Sequence, residues 1–224
     1  MPSAMTKVLP RGLRRRLTLR FPQLRLVSAK LREGGASYDA AEFDLFYAAC
    51  EDPWRLQMSK REAEKYEILL QACGAGPWER ALEIGCSIGL FTELLAPRCA
   101  RLLAVDISGI AVERARRRLR DSAHVILERR TLPAEMPAGP FDLVVCSDVL
   151  YYWPLDDLRR SARLFEEAVA PGGRLVVLHW QGPVQAPHTG DEVHDVLVTE
   201  LLLTHVESRV VIDSRLDVFE NHPV

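Results

Sequence analysis

Glu83-Ile84-Gly85-Cys86-Ser87-Ile88-Gly89 closes one short apolar run, and Asp106 closes the next. The glycines let a backbone turn tightly and approach a ligand with no side chain between. A carboxylate at the end of the following strand accepts hydrogen bonds from both hydroxyls of a ribose. Together they are the general signature of a bound nucleoside. A dinucleotide would call for G-x-G-x-x-G, with glycine where the pyrophosphate meets the helix N-terminus. Ser87 stands at the second of those glycine positions and Leu90 at the third. Glu83, ahead of the first glycine, suits a cationic group better than a pyrophosphate. A nicotinamide-dependent oxidoreductase is therefore the rival reading, disfavoured also by the lack of an obvious Tyr-x-x-x-Lys. Taken singly, the loop is also an ordinary strand-to-helix turn, and Asp106 a helix cap near Ser108.

Phe141-Asp142-Leu143-Val144-Val145-Cys146-Ser147-Asp148 ends another apolar run on a carboxylate. Asp148 stands where an acceptor would bind or lose its proton; capping the next turn is the alternative. His179, beside Trp180, is a second candidate base, or else a packed, hydrogen-bonded imidazole. Tyr151, Tyr152 and Trp153 offer an aromatic wall for a sugar or cationic amine, and also suit a core and rim. In His188-Thr189-Gly190-Asp191-Glu192-Val193-His194-Asp195, two histidines and three acids are the residue types of a divalent-metal site. Thr189 followed by Glu192 is equally a helix capping box. His188 and His194 need not converge, so the expectation is substrate contact through either histidine and no bound metal.

The elements that position these residues follow from periodicity. Ala40–Ala49 and Ser59–Cys73 read as amphipathic helices parted by Asp52-Pro53. Strands are expected at Ala81–Gly85, Leu102–Val105, His124–Glu128, Phe141–Ser147, Arg174–Trp180, Val206–Ile212 and Leu216–Phe219. Helices are expected at Leu90–Ala96, Gly109–Asp121 behind a Ser108 cap, Leu155–Ala170 stopped by Pro171-Gly172-Gly173, and Asp191–Leu203. This alternation predicts a doubly wound α/β fold with a mainly parallel seven-stranded sheet. Ligands then bind at the carboxyl ends of the strands, where the residues above fall.

The chain has 224 residues, 48% of them hydrophobic, enough for one sizeable core. A net charge of −2 gives no global attraction to nucleic acid or to an anionic membrane. No apolar run approaches the roughly 18 residues of a membrane span. Five cysteines without a C-x-x-C pair argue for reduced, buried thiols and a cytoplasmic setting. Every charged residue from Lys7 to Arg32 is basic. Residues 1–37 are read as a solvated, partly disordered arm, with a patch for an anionic partner as the alternative. A single domain, 38–224, follows it, as a monomer or homodimer.

Glu83-x-Gly85-x-Ser87-x-Gly89, Asp106 and the Phe141-Asp142 strand resemble motifs of class I S-adenosylmethionine-dependent methyltransferases. More narrowly, Phe43-Asp44-Leu45-Phe46-Tyr47, Asp52-Pro53-Trp54-Arg55, Lys65-Tyr66 and Asp148-Val149-Leu150-Tyr151-Tyr152 resemble the nodulation protein S family. That resemblance runs from about Tyr38 to about Val177. It implies methyl transfer from S-adenosylmethionine to a small molecule, an amino-sugar nitrogen first, a sugar or natural-product hydroxyl second. It implies that Glu83, Gly85, Ser87 and Gly89 line the methionine end, that Asp106 holds the ribose, and that Ile107 lies against the adenine. Ser147 is placed with them. Ser87 replaces a commoner glycine. Thr131-Leu132 stands where many relatives carry an acid for the adenine amine, so its hydroxyl or backbone must substitute. The first two helices become a lid over the cleft, with Trp54 and Tyr66 facing in, or else a plain packing pair. A non-catalytic S-adenosylmethionine-binding protein is a further reading. Nucleic-acid methylation is not expected, since Ser147-Asp148-Val149-Leu150 stands in place of an Asn-Pro-Pro-Tyr signature.

Overall fold

In the computed structural model, which describes residues 37–184 and 186–222, seven strands form one sheet in the order β3-β2-β1-β4-β5-β7-β6. They are β1 (Ala81–Ile84), β2 (Leu102–Asp106), β3 (Val125–Arg129), β4 (Phe141–Ser147), β5 (Val169–Trp180), β6 (Thr204–Val211) and β7 (Ser214–Glu220). The first five pair in parallel; β7 runs antiparallel between β5 and β6. Among the described residues six α-helices pack around it: α1 (Ala40–Ala49), α2 (Lys60–Ala72), α3 (Leu90–Leu95), α4 (Gly109–Arg118), α5 (Leu155–Ala168) and α6 (Gly190–Glu200). The expected basic arm lies almost wholly outside the described residues.

The central strands are apolar because both of their faces are covered. Leu82, Ile84, Val144 and Cys146 pack toward α5 and α6 with Phe165 and Leu197, while Ala81, Leu143 and Val145 face Leu69, Phe91 and Leu95. Glu83 breaks this run as a buried acid in a central strand, 4% exposed. Such a burial is costly unless something pairs with it. Strand β1 lies between β2 and β4, so the chain's winding reverses there. The crevice beyond their carboxyl ends is the topological switch point. Gly85 and Asp148 both emerge into it.

Capping residues set the helices as the sequence predicts. The Ser108 hydroxyl accepts from the Ala111 amide at the start of α4, and Thr189 and Glu192 form a reciprocal capping box on α6. Element ends differ where propensity is outweighed by pairing. Pro171-Gly172-Gly173 does not lie between α5 and β5; the strand already begins at Val169, which pairs with Phe141 across an irregular register. Helix α6 stops at Glu200 because Leu201 is extended, φ −77° and ψ 133°. The β6–β7 hairpin turns on Ile212 and Asp213, both at positive φ. Asp213 is a residue type that tolerates such a turn, whereas the β-branched Ile212 is not. All five cysteines are free and four are buried. Among the described residues, no helix is long and apolar enough to cross a membrane.

Candidate active site

A cavity of about 560 Å³ opens at the carboxyl ends of β1, β2 and β4 and is roofed by α1 and α2. One half is built on the glycine loop. Gly85 has φ +81°, and a Cβ there would lie 2.0 Å from Val149 Cγ2, so the position admits no side chain. Gly89 also has φ +81°, but it caps α3 and packs against Ala115. Gly89 thus shapes the turn and does not line the cavity, which corrects the expectation that it touches the ligand.

Asp106 faces the cavity from the end of β2. Its Oδ2 accepts from the Ser87 amide at 2.9 Å and its Oδ1 from the Ser108 amide at 2.8 Å. Burial pushes the carboxyl up to about 6, against the pull of those amides. The helix cap is Ser108 itself, so Asp106 is free for a ligand through its remaining lone pairs. Burial pushes Glu83 up to about 7, and its Oε2 has no hydrogen-bond partner. Ile107, Thr131, Leu132 and Ser147 line the same half. The Thr131 amide is already given to Glu135 Oε2 at 2.5 Å, which leaves the Thr131 hydroxyl and Leu132 toward a ligand.

The other half centres on Asp148, held at φ +54° after β4. Its Oδ1 accepts from the Trp180 amide at 2.8 Å, and its Oδ2 from Lys65 Nζ at 2.5 Å. Lys65 comes from α2, is 3% exposed and also pairs with Glu62. Burial raises the Asp148 carboxyl, but the Lys65 ammonium and its hydrogen bonds outweigh this and hold it below the ordinary carboxylate range. For Lys65, burial works against the charge, and the two carboxylates outweigh it. Asp148 is therefore an ionised hydrogen-bond acceptor and a poor proton acceptor, which corrects its reading as a base. Arg61, also on α2, donates through Nε to Asp213 Oδ1 at 3.0 Å, with its guanidinium 5.6 Å from the Trp180 ring.

His179 does not reach the cavity. It is fully buried, its Nε2 accepts from the Leu150 amide at 3.0 Å, and its Nδ1 meets His194 Nε2 at 3.1 Å. Burial and the neighbouring His194 push its imidazole well below the ordinary value, so it stays neutral. His194, also fully buried, gives its Nδ1 proton to Asp217 Oδ2 at 2.5 Å. The expected roles of His179 as base and His194 as substrate contact thus give way to a core hydrogen-bond chain. His188 lies outside the cavity lining as well, its amide donating to the Tyr151 carbonyl. The nearby acids point elsewhere: Asp191 accepts from Gln181, Asp195 from Arg215, and Glu192 caps its helix.

Trp54, Tyr66, Tyr151, Tyr152 and Trp153 all line the cavity, as expected. Tyr151 and Tyr152 meet edge to face at 4.6 Å, and Tyr152 meets Phe43 of α1 at 5.2 Å. Trp54 packs on Tyr47 at 5.3 Å, and Tyr66 on Phe91 at 5.6 Å. The first two helices are therefore a roof over the site. Sequence reasoning assigned no role to Glu62, Lys65 or Tyr47. Charges on an amphipathic helix read as a solvated face, and only the tertiary fold shows that this pair is buried.

Replacing Lys65 by methionine will remove the cation shared by buried Glu62 and half-buried Asp148. A loss of about 3 kcal/mol is expected in urea unfolding at neutral pH. An unchanged midpoint would mean that the ammonium is not what stabilises the pair.

A family model described as nodulation protein S (NodS) matches residues 42–176. Nodulation protein S of Rhizobium tropici is 38% identical over 130 residues, covering 57% of this chain and 55% of that protein. Its counterpart from Sinorhizobium fredii (strain NBRC 101917 / NGR234) is 37% identical over 135 residues, 57% of this chain and 60% of that one. The matches thus span little more than half the length of these curated relatives. Among solved structures, the N-methyltransferase NodS from Bradyrhizobium japonicum WM9, in complex with S-adenosyl-L-homocysteine, superposes with TM-score 0.70 at 31% identity. That match covers 77% of this chain and 93% of the other. The sheet order and this likeness make the fold that of class I methyltransferases.

Proposed function

Because the chain belongs to the nodulation protein S family, we propose that it transfers the methyl group of S-adenosylmethionine to the nitrogen of a small-molecule amine, foremost an amino sugar. The observation that carries this is the pair of carboxylates around the glycine loop, Glu83 buried and Asp106 half-buried. Glu83 offers an unpartnered oxygen, and Asp106 offers spare lone pairs, both into a cavity that Gly85 keeps free of a Cβ. A cationic amino group and a ribose diol satisfy these two acids; a pyrophosphate would be repelled by Glu83. The relative's S-adenosyl-L-homocysteine complex supports the same ligand class.

When bound, the cofactor would supply a methyl group activated by its sulfonium sulfur, which is released as a neutral thioether. The protein's part is to hold the acceptor close and aligned, which by itself lowers the barrier substantially. Glu83 would anchor the amino-acid end, Asp106 the ribose, and Ile107, Thr131 and Leu132 the base. Asp148 would accept an N–H hydrogen bond from the acceptor, aiming the nitrogen lone pair, while the proton leaves to solvent. Tyr151, Tyr152 and Trp153 would flank the acceptor ring. Trp54 and Tyr66, under the roof, would keep water from the reacting atoms. A sugar or natural-product hydroxyl is a weaker acceptor reading, since the low basicity of Asp148 leaves an alcohol without a strong base.

Calorimetry with S-adenosylhomocysteine and, separately, NADH tests the cofactor. Binding of the first alone is expected, followed by product release with D-glucosamine or chitooligosaccharide amines in a screen against sugar alcohols. Binding of NADH instead, or turnover only with alcohols, would overturn the cofactor or the acceptor assignment respectively.

A further inference from the structure

The roof helices are fastened to different ligand halves. Helix α2 reaches Asp148 through Lys65, whereas α1 is tied to the nucleoside side. Asp44 Oδ1 accepts from the Ser108 hydroxyl at 2.5 Å and from the Ile110 amide at 3.3 Å. Arg114 of α4 donates to the carbonyls of Tyr47, Cys50 and Glu51, closing off the C-terminal end of α1. Between these two anchors, the Tyr47 hydroxyl shares a hydrogen bond of 2.6 Å with Ser87 Oγ.

Ser87 is unusual on its own account. It sits at φ +51°, a left-handed conformation that favours glycine, with its amide committed to Asp106. Glycine would relieve that conformation but would lack the hydroxyl that reaches Tyr47. Tyr47 is 3% exposed and lines the cavity beside the loop, so the contact joins roof to glycine loop across the nucleoside half.

We propose that Ser87 and Tyr47 are positioning residues that retain the cofactor, the strained backbone at Ser87 being kept for the sake of its hydroxyl. This rests on the cofactor reading above. The acceptor side, governed by α2, then exchanges its occupant while the nucleoside stays held.

The test is the dissociation rate of S-adenosylhomocysteine from the full chain, read by stopped-flow displacement, beside thermal stability without ligand. Ser87→Ala, Ser87→Gly and Tyr47→Phe are each expected to release it about fivefold faster, the size of one ordinary hydrogen bond. Stability should fall in Ser87→Ala and Tyr47→Phe. It should stay near wild type in Ser87→Gly, where backbone relief offsets the lost bond. Faster release in a variant of unchanged stability is something a purely structural role cannot produce. Unchanged release in Ser87→Gly and Tyr47→Phe, with tight binding in the wild type, would overturn the proposal. A wild type that binds no S-adenosylhomocysteine would instead overturn the cofactor reading and this one with it.

Discussion

Replacing Asp106 by alanine is expected to abolish measurable S-adenosylhomocysteine binding, a loss of at least about a hundredfold. Two effects add. The ribose loses a half-buried charged acceptor, and charge-assisted hydrogen bonds are roughly twice as strong as neutral ones. The Ser87 and Ser108 amides also lose their partner, so the loop and the start of α4 are no longer held in place. Asp106→Asn separates these effects, because one amide oxygen still accepts from the loop while the charge is gone. Its affinity should fall between the two. Calorimetry at pH 8, above the titration of Asp106 near 6, reads the difference with the carboxylate fully ionised. Alanine binding within a few-fold of wild type would place the ribose elsewhere.

The second large effect lies at Glu83, where stability and binding should move in opposite directions. Its carboxyl titrates at about 7 in the folded chain against an ordinary 4.5, chiefly because it is buried. The folded state therefore holds the proton more tightly than the unfolded state does. The stability contributed by the protonated Glu83 in the ligand-free protein is fully present below pH 4.5 and is lost as pH rises through 7. Glutamine does not titrate. Above pH 8, Glu83→Gln should be the more stable protein by about 3 kcal/mol, and near pH 4 the two should match. The same variant should bind S-adenosylhomocysteine at least about tenfold more weakly, having no anion for the ligand's amino group. Urea unfolding across pH and calorimetry at pH 8 measure both. Parallel stability curves would mean that water or Thr92 already compensates the charge.

The nucleoside half was legible because its chemistry is written in consecutive residues. Gly85, Ser87 and Asp106 act through backbone shape and strand ends, which a short stretch of sequence specifies. The acceptor half was legible in place and not in role. Asp148 lies where the strand pattern puts it, but its basicity is set by Lys65, which only the tertiary fold brings within 2.5 Å. His179 looked like a base because it ends a strand at the right edge. Its ring is turned into the core by His194 and Asp217, distant in sequence and adjacent only through α6 and β7. The seven strands were foreseen, while the positive φ at the β-branched Ile212 carries no residue signal, being imposed by the pairing on either side. Trp54, in the turn between α1 and α2, and Tyr66, on α2, both line the cavity.

The reversed strand β7 has a consequence for how such an enzyme diversifies. The residues proposed to hold the nucleoside, Glu83, Asp106, Ile107, Thr131 and Leu132, lie on or just after the parallel strands, beside α1. The far wall of the acceptor side leans on Trp180, the Asp213 turn that Arg61 clasps, and the Asp217 that anchors His194. These belong to the final hairpin and the strand it pairs with. No residue of β6 or β7 lines the cavity, so a change in the hairpin would reach the proposed acceptor side only through the Asp213 contacts with Arg61 and Trp180.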